Sequence, residues 1–200
     1  MRTMQFRSAL TLLPFLITSS FVSSIFVSST AHASLFATTL SGVNEVPANA
    51  STASGFATVD LNGNLLTVNV SWSGLAAASA AGHIHCCVLP GSNVGVAVAF
   101  TGLPAATSGT YTSIFDLANS TTYTTSFRNN FGGGTVAGAQ AALIDGLKSG
   151  KAYVNLHDSS FPGGEIRGQL AQVPEPRSAV VLAMGLAGLL LLRRRRMRLR

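Results

Sequence analysis

Hydrophobic and polar side chains alternate along the middle of the chain. Leu66, Val68, Val70 and Trp72 occupy every second position, and mostly polar residues stand between them. A repeat of two places one set of side chains on a single face of a β-strand. The pattern therefore predicts a strand whose apolar face, including Trp72, is buried between sheets.

Similar short segments recur along the chain and are separated by turns rich in Asn, Gly and Pro. The candidate strands span residues 35–40, 55–61, 65–72, 83–87, 94–100, 110–117, 152–157 and 165–171. Residues 136–147 instead have apolar positions at helical spacing, which predicts one short amphipathic helix. This set predicts an all-β, antiparallel β-sandwich of Greek-key or immunoglobulin-like, or superoxide-dismutase-like, type with one short helix.

The first 33 residues have the organisation of a secretory signal peptide. Arg2 and Arg7 precede an apolar run at 9–17, and Ala31 and Ala33 form an A-x-A cleavage site before Ser34. An uncleaved membrane anchor is the alternative. Removal of residues 1–33 leaves an exported domain at 34–172, in a compartment where disulfides can form.

Residues 173–200 have three parts, namely Pro174-Glu175-Pro176, an apolar run at 178–192 and a cluster of arginines that begins at Arg193 and Arg194. As a helix, fifteen residues span roughly 22 Å, which is less than the roughly 30 Å of a hydrocarbon core. Flanking arginines can cover this shortfall and hold their end on the cytoplasmic side. We therefore predict a single C-terminal transmembrane helix, with a buried helix as the alternative.

The net charge of +6 belongs to the two ends of the chain. Between residues 34 and 172 there are four basic and six acidic side chains, a net charge of −2. A nucleic-acid-binding domain needs a basic patch to contact phosphates. The domain therefore carries no sign of a nucleic-acid partner.

The tail at 173–200 resembles the PEP-CTERM sorting signal of bacterial exosortase substrates, on the evidence of its motif, apolar segment and arginine-rich end. The resemblance implies an exosortase-type sorting enzyme as partner. It also implies anchorage in the inner membrane before processing, and then release to the cell envelope surface or extracellular matrix.

The exported domain resembles the chordin-type (CHRD) domain family between about residues 35 and 170. The stretches that carry this resemblance are 40–48, 55–57, 82–85, 153–157 and 161–170. The resemblance implies a β-sandwich and brings no settled activity for bacterial members. Cys86-Cys87 departs from the family, whose common members have small residues such as Gly-Pro after the second histidine.

Three histidines remain after residue 33, and two of them form the His83-x-His85 pair. Alternation places both on one face of a strand. If residues 158–164 form a hairpin loop, His157 faces Glu165, and Asn155 faces Arg167. We therefore predict a polar face that collects His83, His85, His157 and Glu165 as candidate ligands of one zinc or copper ion.

The alternative is that each histidine only hydrogen-bonds a neighbour. The His-x-His pair with a distant histidine is similar to part of the copper site of copper/zinc superoxide dismutases. Their two-metal site needs more histidines than the three available here, so a complete dismutase site is excluded.

Cys86 and Cys87 allow three states. They form a vicinal disulfide, which we favour for an exported chain, or one thiolate joins the histidines, or both remain thiols or pair with another chain. Alternation sends Cys87 to the face of the histidines and Cys86 to that of Ile84.

No catalytic residues are predicted, since the chain has neither a nucleophile elbow nor a phosphate loop. The first functional interpretation is a non-enzymatic binding or structural module whose partner is a matrix protein or polysaccharide. The second is a mononuclear zinc or copper protein, with redox activity as an option.

Overall fold

The computed structural model describes residues 33–174 and 177–198. The predicted signal peptide falls outside this range except for residue 33, and so do Glu175 and Pro176 of the sorting motif. The fold described below is that of the predicted exported domain.

The domain is mostly β-structure, as the alternation predicts. Its strands are β1 (Ser34–Ser41), β2 (Ser54–Asn62), β3 (Leu65–Ser73), β4 (Ser79–Cys86), β5 (Val96–Ala99), β6 (Gly109–Asp116), β7 (Ala152–Asp158), β8 (Ile166–Gln169) and β9 (Ala171–Gln172). The first seven correspond one to one to candidate strands, while the eighth candidate is divided into β8 and β9. Short 3-10 turns occupy Gly42–Asn44 and Ser120–Thr122.

The described strands form one antiparallel sheet rather than two separate stacked sheets. Their order is β5-β4-β7-β8-β1-β2-β3-β6, and β9 pairs with β1. The sheet curls, so that Phe100 beyond one edge strand stacks on Tyr111 of the other edge strand with ring centroids 5.1 Å apart. The core lies inside this curl, which gives the two layers of a sandwich from a single hydrogen-bonded sheet.

The alternating stripe of β3 faces the core. Leu66, Val68, Val70 and Trp72 are all buried, and the indole Nε1 of Trp72 donates a hydrogen bond to the Ala106 carbonyl oxygen at 3.0 Å. The prediction that Trp72 is buried is confirmed.

Two helices cover part of the sheet. The predicted helix is present as α2 (Val136–Lys148), which begins at the Thr135 cap and buries Ala139, Leu143 and Leu147 against the core. It is preceded by a short helix that the pattern does not predict, α1 (Thr125–Phe131), capped by the Thr124 hydroxyl.

The C-terminal segment is helical from Arg177 to Arg198 and forms α3, which includes Arg193 and Arg194. Among the described helices, α3 included, none combines the length and the apolar character that a membrane crossing requires.

Candidate metal centre

Strands β4 and β7 are neighbours, and their register brings the histidines together. His83 pairs with Asn155, His85 pairs with Tyr153, and Ala81 pairs with His157. His157 is therefore diagonal to His83 on the same face of the sheet. Adjacency of these two strands is the step that the sequence pattern leaves open.

The three imidazoles form a compact cluster, which we call the histidine triad. One ring nitrogen from each of His83, His85 and His157 lies within 4.8 Å of the other two. The His83 Nδ1 and His157 Nε2 atoms are 3.2 Å apart. Nitrogen ligands of one tetrahedral zinc ion are roughly 3.3 Å apart, so small rotations of the rings would bring the triad to ligand geometry.

Backbone carbonyls fix the orientation of two of the rings. His85 Nδ1 lies 2.8 Å from the Val94 carbonyl oxygen, and His157 Nδ1 lies 3.0 Å from that of Pro162. Because a carbonyl oxygen only accepts, each Nδ1 carries the hydrogen and each Nε2 presents a lone pair. Metal-binding histidines are usually held in this way by a second hydrogen bond.

The His85 Nε2 atom has no compensating contact in this arrangement. It is buried and has no hydrogen-bond partner among the residues that the structure describes. A buried acceptor without a partner is unfavourable, and such atoms are rare in folded proteins. A metal ion between the rings would remove the deficit.

Burial keeps the histidine triad neutral. Loss of solvent lowers the pKa of His83 to about 4, and the neighbouring His157 and His85 lower it further. Burial likewise lowers the pKa of His85 to about 4, against the hydrogen bond to Val94. The pKa of His157 is lowered by the same cause. Neutral imidazole is the form that binds metal, so no proton has to be displaced at pH 7.

A stack of side chains supports His85. The Tyr153 ring lies parallel to the His85 ring with centroids 4.6 Å apart, and the Arg167 guanidinium lies 3.4 Å from the centroid of Tyr153. Arg167 also donates to the Ser92 carbonyl oxygen at 2.7 Å and to Asn93 Oδ1 at 2.8 Å. The loop after β4 is thereby held over this face of the sheet.

Glu45 lies on the same face, although the sequence pattern gives it no role there. Its Oε1 accepts a hydrogen bond of 2.6 Å from Asn155 Nδ2. Burial raises the pKa of Glu45 to about 7, against the opposing effects of Arg167 and Asn155. The available signal is its position inside the 40–48 stretch, which carries part of the CHRD resemblance.

Glu165 lies elsewhere, so the expectation that it faces the histidine triad is wrong. The predicted pairing of Asn155 with Arg167 is present, but the ladder ends at Leu156 and Ile166. Beyond this point the Glu165 carboxylate accepts hydrogen bonds from Ser51 Oγ, 2.6 Å away, and from the Ala76 backbone amide. It also hydrogen-bonds Asp158, whose side chain alternates away from His157.

Gly164 explains why alternation fails at Glu165. It adopts φ +129°, a backbone conformation that residues other than glycine rarely adopt. The extended repeat is broken there, and Glu165 joins a fully buried carboxyl pair with Asp158. Burial raises the pKa of Glu165 against the hydrogen bond from Ser51. For Asp158, the effect of burial is outweighed by hydrogen bonds from Glu165 and from backbone amides, so its pKa is lowered.

Cys86 and Cys87 are joined as a vicinal disulfide, across a cis peptide bond. Both sulfur atoms lie against α2, where Cys87 Sγ is 3.3 Å from the Ala142 carbonyl oxygen. Alternation predicts Cys87 on the histidine face, but the structure directs both sulfurs to the helix. Neither sulfur belongs to the metal-ligand cluster identified among the described residues.

No curated protein and no solved structure matches the chain. A protein-family model described as the CHRD domain matches residues 36–170, which is more than half of the chain. This range includes the sheet except for the first two residues of β1 and the short strand β9, and it contains the histidine triad, Glu45 and Asn155. The chain therefore belongs to the CHRD domain family.

Proposed function

We propose that this CHRD domain is a binding module that holds one zinc or copper ion through His83, His85 and His157. The observation that carries the proposal is the convergence of three ring nitrogens within 4.8 Å. Family membership supports a binding or structural module, and the histidine triad gives such a module a specific ligand. Imidazole nitrogen suits both zinc and copper, so the donor set favours these ions over magnesium or calcium.

Three further features support metal binding. The rings are neutral at pH 7, two of them are oriented by backbone carbonyls, and His85 Nε2 is a buried acceptor with no partner within the described residues. Hydrogen bonding between neighbours, the alternative for these histidines, accounts for the His83–His157 contact. It leaves His85 Nε2 unsatisfied.

Metal analysis of the exported protein tests this proposal. We expect about one equivalent of zinc or copper per chain, and we expect His85→Ala and His157→Ala each to weaken binding at least tenfold. Asn69→Ala is the matched control, because Asn69 lies on the exposed face of β3. A wild-type chain that takes up neither ion after treatment with a chelator and reconstitution would refute the proposal.

We also propose that the domain acts outside the cytoplasm. The signal peptide at 1–33 would direct export, and the tail at 173–200 would anchor the chain in the inner membrane until an exosortase-type enzyme removes it. The processed domain would then bind a matrix protein or polysaccharide at the envelope surface. Support for this comes from the tripartite tail and from the vicinal disulfide, which suits an oxidising compartment.

The intact mass of the surface-released protein tests the sorting proposal. In a host that has the sorting enzyme, we expect a mature form that begins at Ser34 and lacks residues 178–200. Replacement of Pro174-Glu175-Pro176 by alanines should leave the tail attached. A released wild-type form that still contains residues 178–200 would contradict sorting at this motif.

A further inference from the structure

We propose that the metal site keeps one coordination position for a small ligand that carries a proton, and that Asn155 accepts a hydrogen bond from this ligand. The inference rests on the proposed binding of zinc or copper by the histidine triad. It adds the chemical class of the molecule that completes the site, namely water or another protic donor rather than an aprotic anion.

The amide of Asn155 has a defined orientation. Its Nδ2 atom donates to Glu45 Oε1 at 2.6 Å. An amide nitrogen only donates and an ionised carboxylate only accepts, so above pH 7 the group facing the Glu45 oxygen is the nitrogen. Gly164 leaves the room for this contact, since a Cβ atom at that position would collide with Asn155 Nδ2.

The other end of the amide points away from Glu45. Glu45 and Arg167 interact electrostatically, and Arg167 pairs with Asn155 from β8. On the other side of β7, the residue that pairs with Asn155 is His83 of β4. Because the amide oxygen and nitrogen diverge, and the nitrogen lies beside Gly164 at the β8 end of the pairing, we infer that Oδ1 faces the β4 side, where His83 lies.

Asn155 Oδ1 is buried and has no hydrogen-bond partner in the described part of the chain. His85 Nε2 is in the same condition on the same face of the sheet. The nearby Tyr153 hydroxyl does not relieve either atom, because it is engaged with the backbone of Val94. These two buried acceptors can be satisfied together by a cation and a proton donor.

A metal ion with a protic ligand satisfies both atoms at once. The ion accepts the lone pair of His85 Nε2, and three imidazoles leave the fourth tetrahedral position open. A water molecule in that position can donate its O–H to Asn155 Oδ1. An aprotic anion such as azide would instead place an acceptor against an acceptor, so Asn155 disfavours it.

The test uses the full chain loaded with Cu²⁺. Pulsed electron paramagnetic resonance in H₂O and in D₂O should detect three imidazole nitrogens and a strongly coupled exchangeable proton on an oxygen bound directly to the metal, distinct from the weakly coupled imidazole N–H protons. Azide, followed by its charge-transfer absorption, should bind about three- to tenfold more tightly to Asn155→Leu than to wild type, because the bound water loses one hydrogen bond. Asn69→Leu, the same change on the exposed face of β3, should leave azide affinity unchanged.

The outcomes separate this inference from the proposed function. Copper bound by three imidazoles without the strongly coupled proton of a directly bound oxygen ligand would overturn the inference and leave metal binding intact. Equal azide affinity in wild type and Asn155→Leu would also overturn it. Failure of the wild-type chain to bind either copper or zinc through the three imidazoles would remove both proposals. If Asn155→Leu does not fold, Asn155→Ala takes its place in the azide comparison.

Discussion

The two halves of the curled sheet use their faces differently. In the half formed by β1, β2, β3 and β6, one face is buried and the other is exposed, as in β3, where buried and accessible residues alternate. In the half formed by β4, β7 and β8, both faces are covered, and six of the seven residues of β7 are buried. We call these the one-sided half and the two-sided half.

This difference shows where function can be built. Polar side chains on the one-sided half meet water and need no particular partner. On the second face of the two-sided half, Asn155, Arg167 and Glu45 are each more than 90% buried, so each needs partners inside the protein. The histidine triad lies in this buried polar layer, where low exposure keeps its rings neutral.

The largest expected effect is on the one-sided half. Trp72→Ala removes a buried indole and its hydrogen bond, and should lower the free energy of unfolding by about 3–5 kcal/mol, measured by urea denaturation. Phe56→Ala is the control, because Phe56 is 47% exposed on the open face of β2. Equal stabilities for Trp72→Ala and wild type would show that this half has no dominant buried face.

A smaller loss is expected where the two halves are joined. Glu165 links Ser51 and Ala76, which flank strands of the one-sided half, to Asp158 of β7. Glu165→Ala leaves these buried groups without a partner and should cost about 2–4 kcal/mol in thermal or urea unfolding. Glu165→Gln keeps a side chain that can donate and accept, so it should cost clearly less. Equal losses would mean that volume, rather than hydrogen bonding, joins the halves.

The core face of the two-sided half gives a third test. A Cβ atom at Gly146 of α2 would collide with Cys86 Sγ and lie 2.8 Å from Cys87 Sγ. Gly146→Ala should therefore lower the free energy of unfolding by about 1–3 kcal/mol. Helix propensity alone predicts the opposite sign, a gain of about 1 kcal/mol. A rise in melting temperature would show that α2 does not pack tightly on the disulfide.

The contrast between the halves explains what the sequence predicts. Alternation identifies the buried face of β3, and helical spacing identifies α2, because each element has one solvent-exposed side. The pairing of Ser41 with Arg167, which links β1 to β8 and makes one sheet of the two halves, is nonlocal and leaves no periodic signal. Helix α1 has seven mostly polar residues and depends on tertiary contacts of Phe127.

The candidate site is predicted as far as strand periodicity extends. It places His83, His85 and His157 on one face and pairs Asn155 with Arg167. It fails for Glu165, where Gly164 breaks the extended backbone, and for Glu45, which is 110 residues away from Asn155 in the chain. Carbonyl partners such as Val94 leave no trace in side-chain patterns, since any residue supplies the same oxygen.

The smallest expected effect concerns the charge of Glu45 at the edge of the buried polar layer. Its pKa in the folded protein is raised to about 7 from the ordinary value of 4.5, with burial as the main cause. Below pH 4.5 the carboxyl is protonated in both folded and unfolded chains. The contribution of the raised Glu45 pKa to the free energy of unfolding is then fully present. Between pH 4.5 and 7 the unfolded chain releases the proton while the folded chain retains it, so the free energy of unfolding falls.

Glu45→Gln tests this effect, because glutamine does not titrate. Its amide oxygen can still accept the hydrogen bond from Asn155, and a neutral amide then faces Arg167. The metal-free wild type should therefore lose about 1 kcal/mol relative to Glu45→Gln between pH 5 and pH 7.5, after allowance for screening. Melting temperatures of both chains across this pH range measure the difference. If the two melting temperatures change in parallel with pH, Glu45 is solvated like the exposed face of the one-sided half.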